Sequence, residues 1–250
     1  MPMAQLRDIA DELSATRIPQ SAIGDALRTE MFRLMQRYYA NVCAARFAED
    51  LAAKTCALVL RDRHGLAGFT TLRVFDFEHG GRTRRIVFSG DTIVDHRHWG
   101  EQELARCWLG EIGRITRAGP DVPLYWFLIV KGHRTYRYLP AFARDYVPRA
   151  EQRGGDAALV AMRNALAAHL YPGAFDAQTG LIRFAEARGN LQADWSEPSA
   201  REAALPDVAY FLSANPGYRS GDELACLCSL ARGNMRPRAQ RWFDAGWALG

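Results

Sequence analysis

The chain has 250 residues, 48% of them hydrophobic and 24% charged, with a formal net charge of +4, which is ordinary for a soluble globular protein with a substantial core of its own. No apolar run approaches the roughly 20 residues of a membrane span, and Asp8, Asp11 and Glu12 stand where a signal peptide would be apolar, so the expected compartment is the cytoplasm. The basic residues are dispersed among acids, which excludes a nucleic-acid signature, while a mildly basic surface suits acidic or phosphorylated partners. Only Lys54 and Lys131 are lysines; every other basic residue is arginine. The cysteine count of five is odd and the chain is not small, so free thiols are expected instead of a disulfide framework. Cys226-x-Cys228 has no companion ligands at metal-site spacing, and no metal is expected.

Residues 3–17 read as a short polar helix, followed by a loop at Ile18-Pro19-Gln20. Over 22–45, Ile23, Leu27, Met31, Leu34, Met35, Tyr38 and Val42 recur at helical spacing, and a second helix is predicted over 45–53. The period then changes. Strands are predicted over 55–60, 66–77 and 83–95, joined by tight turns at Arg63-His64-Gly65 and His79-Gly80-Gly81. A helix follows over 101–115 and ends before Gly119-Pro120. Residues 123–131 are apolar on both faces, as in a central strand covered on both sides. Residues 133–144 read as helical, with Pro140 kinking the helix or opening a new first turn. Gln152-Arg153-Gly154-Gly155-Asp156 marks a boundary. Beyond it, helices are predicted over 157–170 and 222–232, a short strand over 181–184, a polar loop over 191–205, and a packed tail carrying Trp242, Phe243 and Trp247.

The order helix, helix, strand, long strand, strand, helix, strand, helix over residues 22–150 resembles the GNAT acyltransferase superfamily. The stretch Ile93-Val94-Asp95-His96-Arg97-His98-Trp99-Gly100-Glu101-Gln102-Glu103-Leu104 carries the resemblance. The superfamily's donor segment leaves a strand and runs Gln/Arg-x-x-Gly-x-Gly/Ala into a helix. Arg97 and Gly100 match it; Gln102 stands where a small residue is expected. The resemblance implies an α/β (α+β) fold with a mixed central sheet flanked by helices and a mainly helical C-terminal extension. It divides the chain into an N-terminal helix and loop (1–21), an acyltransferase core (22–150), and an extension packed on the core (151–250).

It also implies function. Helix N-termini present unpaired N–H groups and a partial positive charge to phosphate. Val94, Arg97, His98, Trp99, Gly100, Glu101 and Gln102 would therefore hold the phosphates of acyl-CoA or of an acyl-phosphopantetheine on an acidic acyl carrier protein. Glu101 and Glu103 depart from that scheme, since their charges complement the helix dipole themselves. Tyr136 and Tyr138 are the two candidates for protonating a leaving thiolate. Asp91 lies in Ser89-Gly90-Asp91-Thr92, where a mid-strand acid beside glycine suggests a bulge, and it is the first candidate base toward an attacking amine. His133 is the second. The expected activity is direct transfer of an acyl group from a thioester to an amine, with the branch of long-chain N-acyltransferases and N-acyl amino acid synthases as the nearest likeness. The alternatives are a non-catalytic module that binds an acyl thioester or a protein partner, and a thioester hydrolase using Asp91 and water.

Overall fold

The computed structural model describes residues 13–151, 156–186 and 188–249. In chain order the elements are β1 (Ser14–Pro19), α1 (Asp25–Tyr38), β2 (Tyr39–Ala40), α2 (Ala44–Ala52), β3 (Cys56–Asp62), β4 (Gly65–His79), β5 (Arg82–Val94), α3 (Glu103–Ala118) and β6 (Leu124–Val130). There follow α4 (His133–Tyr136), α5 (Tyr138–Phe142), β7 (Tyr146–Val147), α6 (Asp156–Leu170), β8 (Phe175–Asp176), β9 (Leu181–Ile182) and β10 (Asn190–Leu191). The chain closes with α7 (Ala193–Ser196), α8 (Ala200–Ala203), α9 (Pro206–Ala214), β11 (Glu223–Ser229) and α10 (Pro237–Leu249).

The main sheet runs β1-β3-β4-β5-β6-β11-β9-β8, with β7 also on β11. Among the described residues only β5 and β6 pair in parallel; their neighbours pair antiparallel. Period-2 alternation sends successive side chains to opposite faces. On one face Leu58, Leu72, Trp126, Leu128 and Cys226 meet α3, α5, α9 and α10. On the other, Ala57, Val59, Phe69 and Ile93 meet α1 and α2, while Phe88, Phe127 and Leu227 meet α6. The mixed central sheet flanked by helices is thus present, and β6 is covered on both sides.

Four local expectations are corrected. The polar helix expected over 3–17 is, over its described part, strand β1, whose residues pair one for one with β3; residues 3–12 lie outside the described residues. The helix expected over 22–45 stops at Tyr38, where Tyr39 and Ala40 pair with Leu191 and Asn190. Asn41, at φ 58°, then turns the chain toward α2. The polar loop expected over 191–205 contains α7 and α8, the latter held by a capping box between Ser199 and Glu202.

The largest correction concerns the helix expected over 222–232. Residues 223–229 of that segment are β11, buried up to Cys228 and paired along β6 from Leu224↔Val130 to Ser229↔Tyr125. A short, continuously apolar run does not distinguish a buried strand from a buried helix by period. Residues beyond 150 therefore complete the main sheet as well as packing on it. Of the expected boundary segment, residues 152–155 lie outside the described residues, and Asp156 opens α6. Residues 133–144 form two short helices that meet at Arg137, with Pro140 in the first turn of the second. Among the described residues no helix is long and apolar enough to cross a membrane.

Candidate functional site

The sheet opens at its centre. β5 and β6 pair from Arg85↔Leu124 to Ser89↔Leu128 and no further. Beyond that point β5 stays with β4, Thr92 against Thr70 and Val94 against Gly68. β6 stays with β11, Ile129 against Ala225 and Val130 against Leu224. The opening begins at a bulge: Leu72 faces Ser89 and Thr70 faces Thr92, so Thr71 stands opposite both Gly90 and Asp91. The bulge expected from Gly90 is there. A side chain at Gly90 would meet the Thr71 hydroxyl and the end of Lys54.

On the α3 face the opening leads to a cleft of about 750 Å³. One wall is Val94, Trp99, Gly100, Glu101 and Gln102; the other is His133, Arg134 and Tyr138. The loop from β5 to α3 is ordered by its own bonds. Asp95 caps the turn over 96–98 and accepts hydrogen bonds from Arg97 N, Arg97 Nε (2.9 Å) and Arg37 Nη1 (3.0 Å). Burial opposes its charge, yet Arg97 holds the carboxyl below the usual range. Gly100 sits at φ 99°, in the left-handed region that favours glycine. Gln102 folds back to donate to the Gly100 carbonyl at 2.7 Å, and no side chain caps α3. The first N–H groups of α3 thus meet the cleft unpaired.

The expected donor residues do not all face this cleft. Arg97 is turned to Asp95 with its guanidinium half exposed. The ring of His98 is buried against Asp62 at 2.9 Å, leaving mainly its backbone to the loop. Trp99 donates from Nε1 to the Val94 carbonyl at 2.9 Å, and the Arg134 guanidinium lies 4.2 Å from its ring centre. Trp195, from α7, packs across Trp99, His96 and Tyr38 and adds to the aromatic wall. Its contribution was not visible in the sequence.

The two tyrosine candidates separate. Tyr136 is buried behind the cleft and donates its hydroxyl to the Pro148 carbonyl at 2.7 Å. Tyr138 lines the cleft, and burial raises its pKa, which keeps the phenol protonated. His133 also lines the cleft, with 1% exposure. Its Nε2 makes no hydrogen bond; the nearest acid oxygen, on Glu202, is 3.8 Å away. Burial and then Arg134 push its pKa down, so the ring is neutral near pH 7.

On the opposite face is a cavity of about 180 Å³. It shares Tyr39, Thr92, Gly132 and Thr135 with the cleft, so the two spaces adjoin at the opening. Asp91 lines this cavity, half-buried and without an ion pair or hydrogen bond among the described residues. Burial, then the nearby charge of Asp50, raise its pKa from 3.8 to about 6, against the opposing pull of Lys54 and Lys131. Both lysines of the chain line the same cavity. Lys54 pairs with Asp50 at 2.6 Å and Lys131 with Glu223 at 3.2 Å. The rarity of lysine in an arginine-rich chain was the one sequence signal that could have marked them. Between the two spaces lies a small apolar pocket of about 40 Å³. Trp108 and Trp126 form part of its wall, both donating to the Ser89 hydroxyl, at 3.2 and 2.9 Å.

No protein-family profile matches the chain, and no curated protein matches it. Several solved structures overlap part of it. A conserved Enterococcus faecalis protein described as a probable N-acyltransferase shares 13% identity at a TM-score of 0.41, over 54% of this chain and 33% of that one. A GNAT-family N-acetyltransferase of Escherichia coli, in complex with CoA, shares 18% identity at 0.36, over 52% and 69%. A GNAT-family acetyltransferase of Streptococcus pneumoniae shares 13% at 0.34, over 56% and 91%. The chain spans only a third of the first of these. Overlaps this partial assign neither a family nor an activity.

Proposed function

We propose that the protein is an N-acyltransferase that moves an acyl group from a thioester donor to an amine by direct attack. The observation that carries this reading is the opening between β5 and β6, with an uncapped helix N-terminus on one side of it and a carboxylate without an ionic or hydrogen-bond partner among the described residues on the other. The donor, acyl-CoA or an acyl-phosphopantetheine on an acidic carrier protein, enters the larger cleft. Its phosphate lies against the N–H groups between Gly100 and the first turn of α3. The buried, unpartnered Nε2 of His133 supports a ligand there, since such a group is costly to leave unmet.

The thioester crosses the gap, and the amine waits in the cavity. Asp91 takes a proton from the attacking nitrogen, a carbon–nitrogen bond forms, and the carbon–sulfur bond breaks. Tyr138 gives its proton to the departing thiolate. A carboxylate with a pKa near 6 is ionised at neutral pH and still basic enough to act. The apolar pocket of about 40 Å³, at ~10–15 Å³ per water-sized group, holds about three such groups. A short acyl group therefore suits it better than a long chain.

Glu103, the one acid in the first turn of α3, favours a second reading, a non-catalytic binding module, because a charge there already complements the dipole. The test is purified protein with acetyl-, butanoyl- or octanoyl-CoA and pooled primary amines, following free thiol and acylated amine together. Equal amounts of both support the transferase. Thiol with free acid and no amide makes the protein a hydrolase. Neither product, with retained donor binding, leaves the binding module.

A further inference from the structure

The cavity of about 180 Å³ and the apolar pocket of about 40 Å³ share Gly90, Thr92 and Ile129, so they adjoin at the bulge. An amine of the chain itself lies there: a Cβ placed on Gly90 would stand 2.9 Å from Lys54 Nζ. The two lysines of the cavity are held differently. Lys131 meets Glu223 at 3.2 Å and the carbonyls of Gly189 and Arg188 at 3.0 and 3.4 Å, an acceptor for every N–H of its ammonium. Lys54 has, among the described residues, the Asp50 carboxylate at 2.6 Å and the face of Phe88, 5.2 Å away. The Thr71 hydroxyl is beside it. That hydroxyl is fully buried, makes no hydrogen bond, and would also touch a Cβ on Gly90. A buried hydroxyl left unmet is costly, and here it faces the place where an amide on Lys54 would form.

We infer that Lys54 is a modification site, acylated by the protein's own thioester donor when the cavity holds no other amine. This rests on the transferase reading and adds self-acylation to it. With the acyl group in the small pocket, the reacting carbonyl lies at the junction lined by Gly90, and Lys54 Nζ is already against that glycine. Holding the two reactants together in this way replaces an encounter from solution. The ammonium gives one proton to Asp50, whose half-exposed carboxylate passes it to solvent. The neutral nitrogen attacks, a carbon–nitrogen bond forms and the carbon–sulfur bond breaks. The nitrogen loses a second proton as the amide forms, replacing the one that Tyr138 gives to the thiolate. The uncharged amide releases Asp50, offers the Thr71 hydroxyl an acceptor, and fills the end of the cavity that an incoming amine needs.

The test incubates the full-length protein with acetyl-CoA and no acceptor, and maps acetyl groups on the two lysines by mass spectrometry. The expected result is acetylation of Lys54 at least about tenfold faster than of Lys131, with the preference gone in urea-unfolded protein. Tyr138→Phe slows modification of Lys54 by the same factor as transfer to free amines. Equal rates at the two lysines, an unmodified Lys54, or a rate unchanged in Tyr138→Phe overturns the inference; where pooled primary amines are still acylated, the transferase reading stands. Acetyl on Lys54 with no transfer to any free amine upholds the inference and removes the reading of a separate acceptor.

Discussion

Asp91→Asn should stabilise the fold and abolish its activity, and the two effects should part company with pH. The carboxyl has a pKa near 6 in the fold against an ordinary 3.8, so the folded state holds its proton more tightly than the unfolded chain does. Stability from this group is complete below about pH 4 and lost as pH rises through about 6. The asparagine variant carries no such loss. A shift of about 2 units amounts to about 3 kcal/mol, a ceiling because Asp91 keeps contact with the cavity. At about pH 5 roughly half of the difference has developed, and above about pH 7 all of it. For a chain of this size that is up to about 6–12 °C in Tm at high pH. Urea or thermal unfolding of both proteins at several pH values measures it. In the same variant, transfer should fall about 10²- to 10⁴-fold, and the wild-type rate should rise with pH through about 6 as the base ionises. A stability difference that does not change with pH would refute the reasoning, since it would place no buried charge at Asp91.

The tyrosines give a second contrast. Tyr138→Phe should lower kcat at least tenfold with little change in stability, whereas Tyr136→Phe should leave kcat intact. The latter strands the Pro148 carbonyl and should cost about 1–3 kcal/mol, read by denaturant unfolding. Helices α3 and α10 cross at glycines so closely that a Cβ on Gly246 would overlap the Gly110 backbone. Gly246→Ala should therefore lower stability by about 1–3 kcal/mol or more through forced separation of the helices, with Gly233→Ala, in open space, as the control.

The parts of the fold legible in the sequence were those set by local pattern. The meander of β3, β4 and β5 announced itself through period-2 strands and glycine turns, and α3 and β6 through period and length. Elements defined by distant partners did not. β11 is built of Glu223-Leu-Ala-Cys-Leu-Cys-Ser, without a β-branched residue, and becomes a strand because β6 pairs along it. The helical pattern of α1 continues past Tyr38, and only the pairing of Tyr39 and Ala40 with residues 190–191 ends it.

The site divides the same way. Asp91 stood out because an acid beside glycine fits a strand poorly, and the loop before α3 because of Gly100. The convergence of Lys54, Lys131 and Glu223 on one cavity depends on sheet register and strand order, which no local pattern records. Tyr136 and Tyr138 looked equivalent until the chain broke at Arg137 and turned one inward and the other to the cleft.

The most direct measurement is a crystal structure of the protein with a non-hydrolysable thioether analogue of acetyl-CoA. The pyrophosphate should rest on the N–H groups from Gly100 to the start of α3, with the sulfur between Thr92 of β5 and Ile129 of β6. An analogue bound elsewhere, or a cleft that excludes it at millimolar concentration while the protein remains folded, would contradict the account.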